Sequence, residues 1–184
     1  MSVQPRKTAD KIARVIAKRR EGVIARQETW ALVRRILILG AIAVLVLTQL
    51  FLLTQVEGNG MYPALRDGDL ALVYRLQGEY ARGDVIAYQR DGQRYFGRVV
   101  ATQNDEVIIT ESGQLLVNSQ LESGEILFPT AMADGSEQRW KVEPGQVFVL
   151  GDYRTQAEDS RIFDPIPLPD VEGKLITLLR RRGL

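Results

Sequence analysis

From Ile36 to Val56 the chain carries no charged residue. Twenty-one residues at about 1.5 Å of rise span roughly 31 Å as a helix, close to one bilayer core. Gly40, Thr48, Gln49 and Gln55 interrupt the run only mildly. A helix packed on a soluble core normally shows a polar face. None is visible through Ile36-Leu37-Ile38-Leu39 or Val44-Leu45-Val46-Leu47. The rival is a cleaved signal peptide, whose apolar region is usually shorter and whose basic lead is far shorter than 35 residues. The run therefore predicts a transmembrane helix over residues 36–56.

The charge distribution orients it. Residues 1–35 hold ten cations and three anions, a net charge of +7, so the remaining chain carries −6. By the positive-inside rule, residues 1–35 form a basic cytoplasmic tail and residues 57–184 an extracytoplasmic domain. Ile12, Val15, Ile16, Val23 and Ile24 permit an amphipathic helix against anionic lipid. A solvated tail or weak helix is the favoured alternative. Arg180-Arg181-Arg182 raises the same choice between headgroup contact and a solvated end.

Two absences bound the chemistry. The sequence has no cysteine and no histidine. A Ser-His-Asp triad, a Cys-His pair and zinc sites built on His or Cys are excluded. Acyl transfer would need Lys as its base. No metal, cofactor or nucleic-acid partner is expected.

The outer part reads as β. Short apolar runs at 70–74, 85–88, 95–100, 107–109, 115–117, 140–142, 147–150 and 174–179 are separated by turn signals such as Asp91-Gly92, Ser112-Gly113, Asp134-Gly135 and Pro144-Gly145. The fold class is mainly β, a sheet or barrel-like domain behind one N-terminal helix.

Between the two regions lies Val56-Glu57-Gly58-Asn59-Gly60-Met61-Tyr62-Pro63-Ala64-Leu65-Arg66-Asp67-Gly68-Asp69. Pro63 fixes its own φ, and Arg66-Asp67-Gly68-Asp69 is a turn. On its own the stretch reads as a juxtamembrane linker. Three further segments change that: Gly68-Asp69-Leu70-Ala71-Leu72-Val73, then Gly97-Arg98-Val99-Val100, then Gly151-Asp152-Tyr153-Arg154-Thr155-Gln156-Ala157-Glu158-Asp159-Ser160-Arg161. With Gly60-Met61-Tyr62-Pro63-Ala64-Leu65, these four, in this order behind a membrane helix, resemble the bacterial type I signal peptidases. The resemblance covers most of residues 37–179.

The resemblance implies a Ser/Lys dyad, in which a Lys made neutral by burial takes the proton of a nucleophilic Ser. Residue by residue, this chain lacks it. The nucleophile position is Gly60, the base position Gly97 and the base-supporting position Ala157. Glycine offers no rotamer that could restore the dyad. In subtilisin, removing the nucleophile or base costs on the order of a million-fold in kcat. The only lysines beyond the apolar run, Lys141 and Lys174, fall outside the four segments.

What remains is scaffold. Met61 and Tyr62 are expected to face lipid, and Pro63 to shape the loop. Asp152, Arg154, Asp159 and Arg161, with Ser160 among them, are expected to form a charge-paired brace behind the base position. The resemblance extends to non-catalytic family members that act as accessory or chaperone factors in pilus assembly beside sortases. The expected partners are therefore membrane lipid, a secreted pre-protein or pilin peptide bound extended in the cleft, and a sortase. The expected location is the bacterial cell membrane, single-pass. The alternative is an active signal peptidase with altered active-site residues.

Overall fold

The computed structural model describes residues 29–122, 128–130, 132 and 134–180. The apolar positions between Ile12 and Ile24, and Arg181 and Arg182, lie outside them. The described chain falls into two compact units that part between Thr48 and Gln49.

Helix α1, Thr29–Leu50, begins in the first unit and runs two residues past its end; it has 22 residues, a mean hydropathy of 2.2 and no buried face. It is long and apolar enough to cross a membrane. Its boundary corrects the sequence expectation: the helix ends at Leu50, and Phe51–Gln55 is strand β1. These five residues lack charge, as a span requires, but they pair in antiparallel register with strand β2, Leu70–Tyr74. Partner availability overrides hydropathy here, because a strand forms wherever a neighbour can take its backbone groups.

The second unit is mainly β. After β2 come β3 (Val85–Arg90), β4 (Gln93–Ala101), β5 (Glu106–Ile109), β6 (Leu115–Val117) and β7 (Gln120–Leu121). Then follow β8 (Gln138–Lys141), β9 (Gln146–Leu150), the short helix α2 (Ser160–Phe163), β10 (Ile166–Pro167) and β11 (Val171–Leu179). A seven-stranded sheet runs in the order β1-β2-β11-β3-β4-β9-β10, and a four-stranded sheet in the order β7-β6-β5-β8. Each described pairing is antiparallel. The eight strands expected from sequence all overlap observed ones. The short β7 and β10 carry too few residues to show a pattern.

Two features position the site. Asp91 and Gly92 take positive φ of 51° and 80°, the primed two-residue turn that joins strands with matching twist. It fixes the β3–β4 register from Arg90↔Gln93 to Val85↔Arg98. Strand β9 then joins β4 only from Arg98 onward. Among the described residues, the first half of β4 therefore has β3 on one side and an unpaired edge on the other.

Alternate residues of these strands point into the core. Ile86, Tyr88, Val99, Val147, Val149 and Ile166 form one buried cluster under the β3–β4–β9–β10 part of the sheet. Val56, Met61, Leu65, Ala71, Val73 and Ala87 form a second cluster. Burying each such side chain contributes on the order of 1.5–3 kcal/mol for the larger ones.

Candidate functional site: a cleft between two strand edges

Three stretches line one cleft of about 200 Å³: residues 56–61, residues 93–96 and residues 156–158. Each is held by a different local device.

The first stretch continues β1. Val56 N–H donates to the Asp69 carbonyl (2.8 Å), and Gly68 N–H to the Val56 carbonyl (2.9 Å). Side chains of the loop then clamp it: Gly58 N–H donates to Asp67 Oδ1 (2.8 Å), and Asp67 N–H to Asn59 Oδ1 (3.3 Å). These side-chain bonds across the loop suit it because they satisfy backbone donors that have no strand partner. Met61 anchors the loop from below. It is 2 % exposed, lies in the core and accepts through Sδ from Asp152 N–H at 3.4 Å. The expectation that Met61 faces lipid is therefore corrected: its thioether fills the gap between this loop and residue 152. Tyr62 is half-exposed, packs its ring 6.2 Å from Tyr153, and carries the Arg66 guanidinium 5.6 Å from its centroid. Its peptide bond to Pro63 is cis.

The second stretch is the free edge of β4. In a two-residue hairpin, residues 93, 95 and 97 exchange hydrogen bonds with β3. The N–H and C=O groups of Arg94 and Phe96 therefore point the other way, toward the cleft.

The third stretch follows β9. Asp159 caps α2 and is 1 % exposed. Its carboxylate accepts from Gly151 N–H (3.0 Å) and from Arg161 Nε (2.8 Å) and Nη2 (2.8 Å). Arg161 Nη2 also donates to the Arg154 carbonyl at 2.6 Å. Ser160, fully buried, accepts from Val149 N–H at 3.0 Å, so its hydroxyl serves the backbone of β9.

The four charges expected to brace one another do so only in part. Asp159 pairs with Arg161, while Asp152 and Arg154 reach other elements. Asp152 takes a two-pronged bond from Arg98 of β4 (2.8 and 2.7 Å). Arg154, 6 % exposed, binds both oxygens of Glu122 (3.1 and 2.9 Å) and the hydroxyl of Thr130. Arg98, Glu122 and Thr130 were missed as partners. Arg98 does stand in a matched segment, so its pairing had a sequence signal. The other two had none.

Gly60, Gly151 and Ala157 meet at the cleft. A Cβ built on Gly60 would lie 3.5 Å from Ala157 Cα and Cβ, an ordinary contact. The Gly60 carbonyl accepts from Tyr153 N–H at 2.9 Å. A Cβ on Gly151 would collide with Ala157 Cβ and the Gly60 carbonyl oxygen, so only glycine allows this approach. Gly97 is not part of the cleft lining. A Cβ there would point into the core, overlap Val149 Cγ1 and come within 3.5 Å of the Tyr88 ring and the Leu150 carbonyl.

The chemistry of the cleft lining follows. Among the described residues it contains no serine, threonine or lysine. Lys174 is paired with Asp84 at 2.6 Å, and Lys141 is exposed on the edge strand β8. The one hydroxyl in the lining is the Tyr95 phenol, which donates to Glu158 Oε2 at 3.1 Å. Burial and this carboxylate raise the Tyr95 pKa, so the phenol stays protonated and weakly nucleophilic. Burial, then Asp159, Tyr95 and Glu158, raise that of Tyr88 as well.

Three charged residues line the cleft: Glu57, Arg94 and Glu158. Arg94 is bound by both oxygens of Glu172 on β11 and donates to Thr54 Oγ1 of β1 at 2.7 Å. The Arg94 hydrogen bond holds Glu172 below the usual carboxylate range against the opposing effect of burial. Arg94 and Glu172 stand 78 residues apart, and no sequence pattern linked them.

Known proteins are similar to this chain in sequence. The family described as signal peptidase, peptidase S26, matches residues 29–179. A signal peptidase I of Bacillus caldolyticus is 29% identical over 153 residues, covering 73% of this chain and 84% of that protein. A signal peptidase I of Bacillus licheniformis is 31% identical over 142 residues, covering 70% and 76%. A solved signal peptidase I from Enterococcus faecalis V583 is 24% identical, with a TM-score of 0.46, covering 53% of this chain and 97% of that one. With the family match spanning both the apolar helix and the β domain, the chain belongs to the signal peptidase family, peptidase S26.

Proposed function

We propose that this chain is a membrane-anchored member of the family that binds an extended peptide in its cleft and does not cleave it. The observation that carries this is the cleft lining, which offers neither a Ser nor a Thr hydroxyl and no lysine amine. Gly60, Gly97 and Ala157 stand where the family resemblance calls for the nucleophile, the base and its supporting hydroxyl. Peptide-bond cleavage by a dyad needs a hydroxyl and a base within hydrogen-bond reach of each other. The free edge of β4 supports the binding half of the proposal, since a strand edge takes an extended chain by main-chain hydrogen bonds.

The role would be that of an accessory or chaperone factor for secreted pre-proteins. A pilin segment as ligand, with a sortase as companion, rests on the resemblance alone. The N-terminus would be cytoplasmic and the β domain extracytoplasmic, by the charge asymmetry.

The test is incubation of the purified full-length chain, in detergent or lipid, with a pre-protein carrying a small-x-small signal. The expected outcome is no cleavage product on a gel where the Bacillus licheniformis enzyme gives complete processing. Processing at a comparable rate would overturn the proposal and restore the reading of an active peptidase. The acyl-enzyme, trapped during turnover, would then identify the nucleophile.

A further inference from the structure

Strands β1 and β4 run in the same direction, because the sheet order β1-β2-β11-β3-β4 links them through antiparallel pairings alone, an even number of reversals. Residues 56–61, which continue β1, and residues 93–96, which open β4, therefore line the cleft side by side in parallel. Thr54 and Arg94 stand at the end where both walls begin, and Gly60 stands toward the other.

The Thr54 end is bridged. Arg94 Nη1 donates to Thr54 Oγ1 at 2.7 Å, from one wall to the strand that leads into the other. The arginine is held in that pose. Its Nη2 donates to Glu172 Oε1 at 2.9 Å and its Nε to Glu172 Oε2. Gln89 Nε2 donates to the same Oε1 at 3.1 Å and fixes the carboxylate in turn. A two-pronged, charge-assisted bond of this kind resists displacement. Moving Arg94 aside would also strip the largely buried Glu172 of its counter-ion.

Backbone groups of a strand lie in the plane of the sheet, and side chains stand out of it. Arg94 can thus offer its N–H and C=O to a segment in the cleft while its guanidinium spans the interior beneath. A segment extended along the β4 edge turns every second side chain toward that interior. Beside Phe96 the interior is apolar, since Phe96 packs against the cluster that holds Val56 and Met61. Beside Arg94 it is already filled by the bridge.

We propose that Arg94 is the stop of the cleft: an extended segment bound along the β4 edge reaches Arg94 and goes no further. The inference rests on the peptide-binding reading of the cleft. Arg94 sets how much extended chain the cleft accepts from this side, and Glu172 is the positioning residue that keeps it across the gap.

The test is fluorescence anisotropy with two labelled, end-blocked peptides of alternating threonine and alanine, one of five residues and one of nine. The proteins are the full-length chain in an uncharged detergent and two variants of it. Arg94→Ala/Glu172→Gln removes the bridge without leaving a carboxylate unpaired. It should raise the affinity for the nonapeptide about five-fold and leave the pentapeptide unchanged, because only the longer chain gains edge from the opened end. Thr54→Val keeps the shape of residue 54 and the Arg94–Glu172 pair and removes only the bond between the walls. It should raise nonapeptide affinity about two-fold, again without effect on the pentapeptide, and it decides the matter by itself if the double variant does not fold. A loosened fold would move both peptides together, so the difference between them reports the stop. Unchanged or weaker nonapeptide binding, or an equal change for both peptides, would overturn the stop and leave the peptide cleft standing. No binding of either peptide to any of the three proteins would overturn the cleft reading itself, and this inference with it.

Discussion

Gly60 and Gly97 look alike in the sequence and differ in the fold. Gly60 has room for a side chain, because a Cβ there makes only ordinary contacts with Ala157. Gly97 has none, because Val149 and Tyr88 fill the space toward which its side chain would point. Val149 itself is fully buried and β-branched, so it has little rotamer freedom with which to yield. Placing a lysine at 97 is therefore a repacking problem as well as a substitution. We expect Gly60→Ser to change stability by no more than about 0.5 kcal/mol. Gly97→Lys should cost about 1–3 kcal/mol by overpacking. Adding Val149→Ala to Gly97→Lys should recover part of that loss, while Val149→Ala alone destabilises. Urea unfolding midpoints of the four variants and the parent check this. If Gly97→Lys is as stable as the parent, the steric account of this position is wrong.

At the scale of elements, β4 does two jobs along one strand. Its second half joins β9, and its first half keeps an open edge. The Arg94–Glu172 pair ties that open half to β11, two strands away in the sheet. Glu172 is ionised more readily in the folded chain than its ordinary value, near 4.3, would give. Its contribution to stability is therefore fully present above that value and lost as pH falls through the lowered one. Glu172→Gln should lower the unfolding midpoint at pH 7. It should also flatten the fall in stability below about pH 4, in a pH series of urea denaturations. A variant as acid-sensitive as the parent would assign the slope to other carboxylates. Asp105 is one such group: Thr102 N–H, Arg82 and Asn118 outweigh its burial and keep its pKa low.

Most of these elements were legible in advance. The β3–β4 hairpin was, because Asp91-Gly92 sits between two alternating runs. Strand β1 was not, because an uncharged run ending in Phe51–Gln55 reads equally well as the last turns of a span. Only the presence of β2 beside it decides the matter. Met61 was misjudged for a related reason. An apolar residue near a membrane segment fits lipid and core equally well by composition, and the Asp152 N–H above its sulfur is a tertiary fact.

At the scale of the whole molecule, the proposed topology has a clean test, because the chain has no cysteine. Glu111→Cys, exposed in the turn after β5, introduces a single thiol. In intact cells it should react with a membrane-impermeant maleimide without lysis if the β domain is extracytoplasmic. Labelling that requires lysis would reverse the orientation. The sequence by itself determined the apolar helix, the charge asymmetry, the β class, the order of the four motif segments and the identity of residues 60, 97 and 157. Each follows from composition, local periodicity or spacing, which neighbours in the chain suffice to express. Only the tertiary structure decided the end of the helix, the burial of Met61, the partners of Asp152 and Arg154, the occlusion of Gly97 by Val149 and the pairing of Arg94 with Glu172 beside the cleft. Those depend on residues far apart in the chain being brought within a few ångströms, and no local pattern encodes which of many apolar or charged side chains the fold will select.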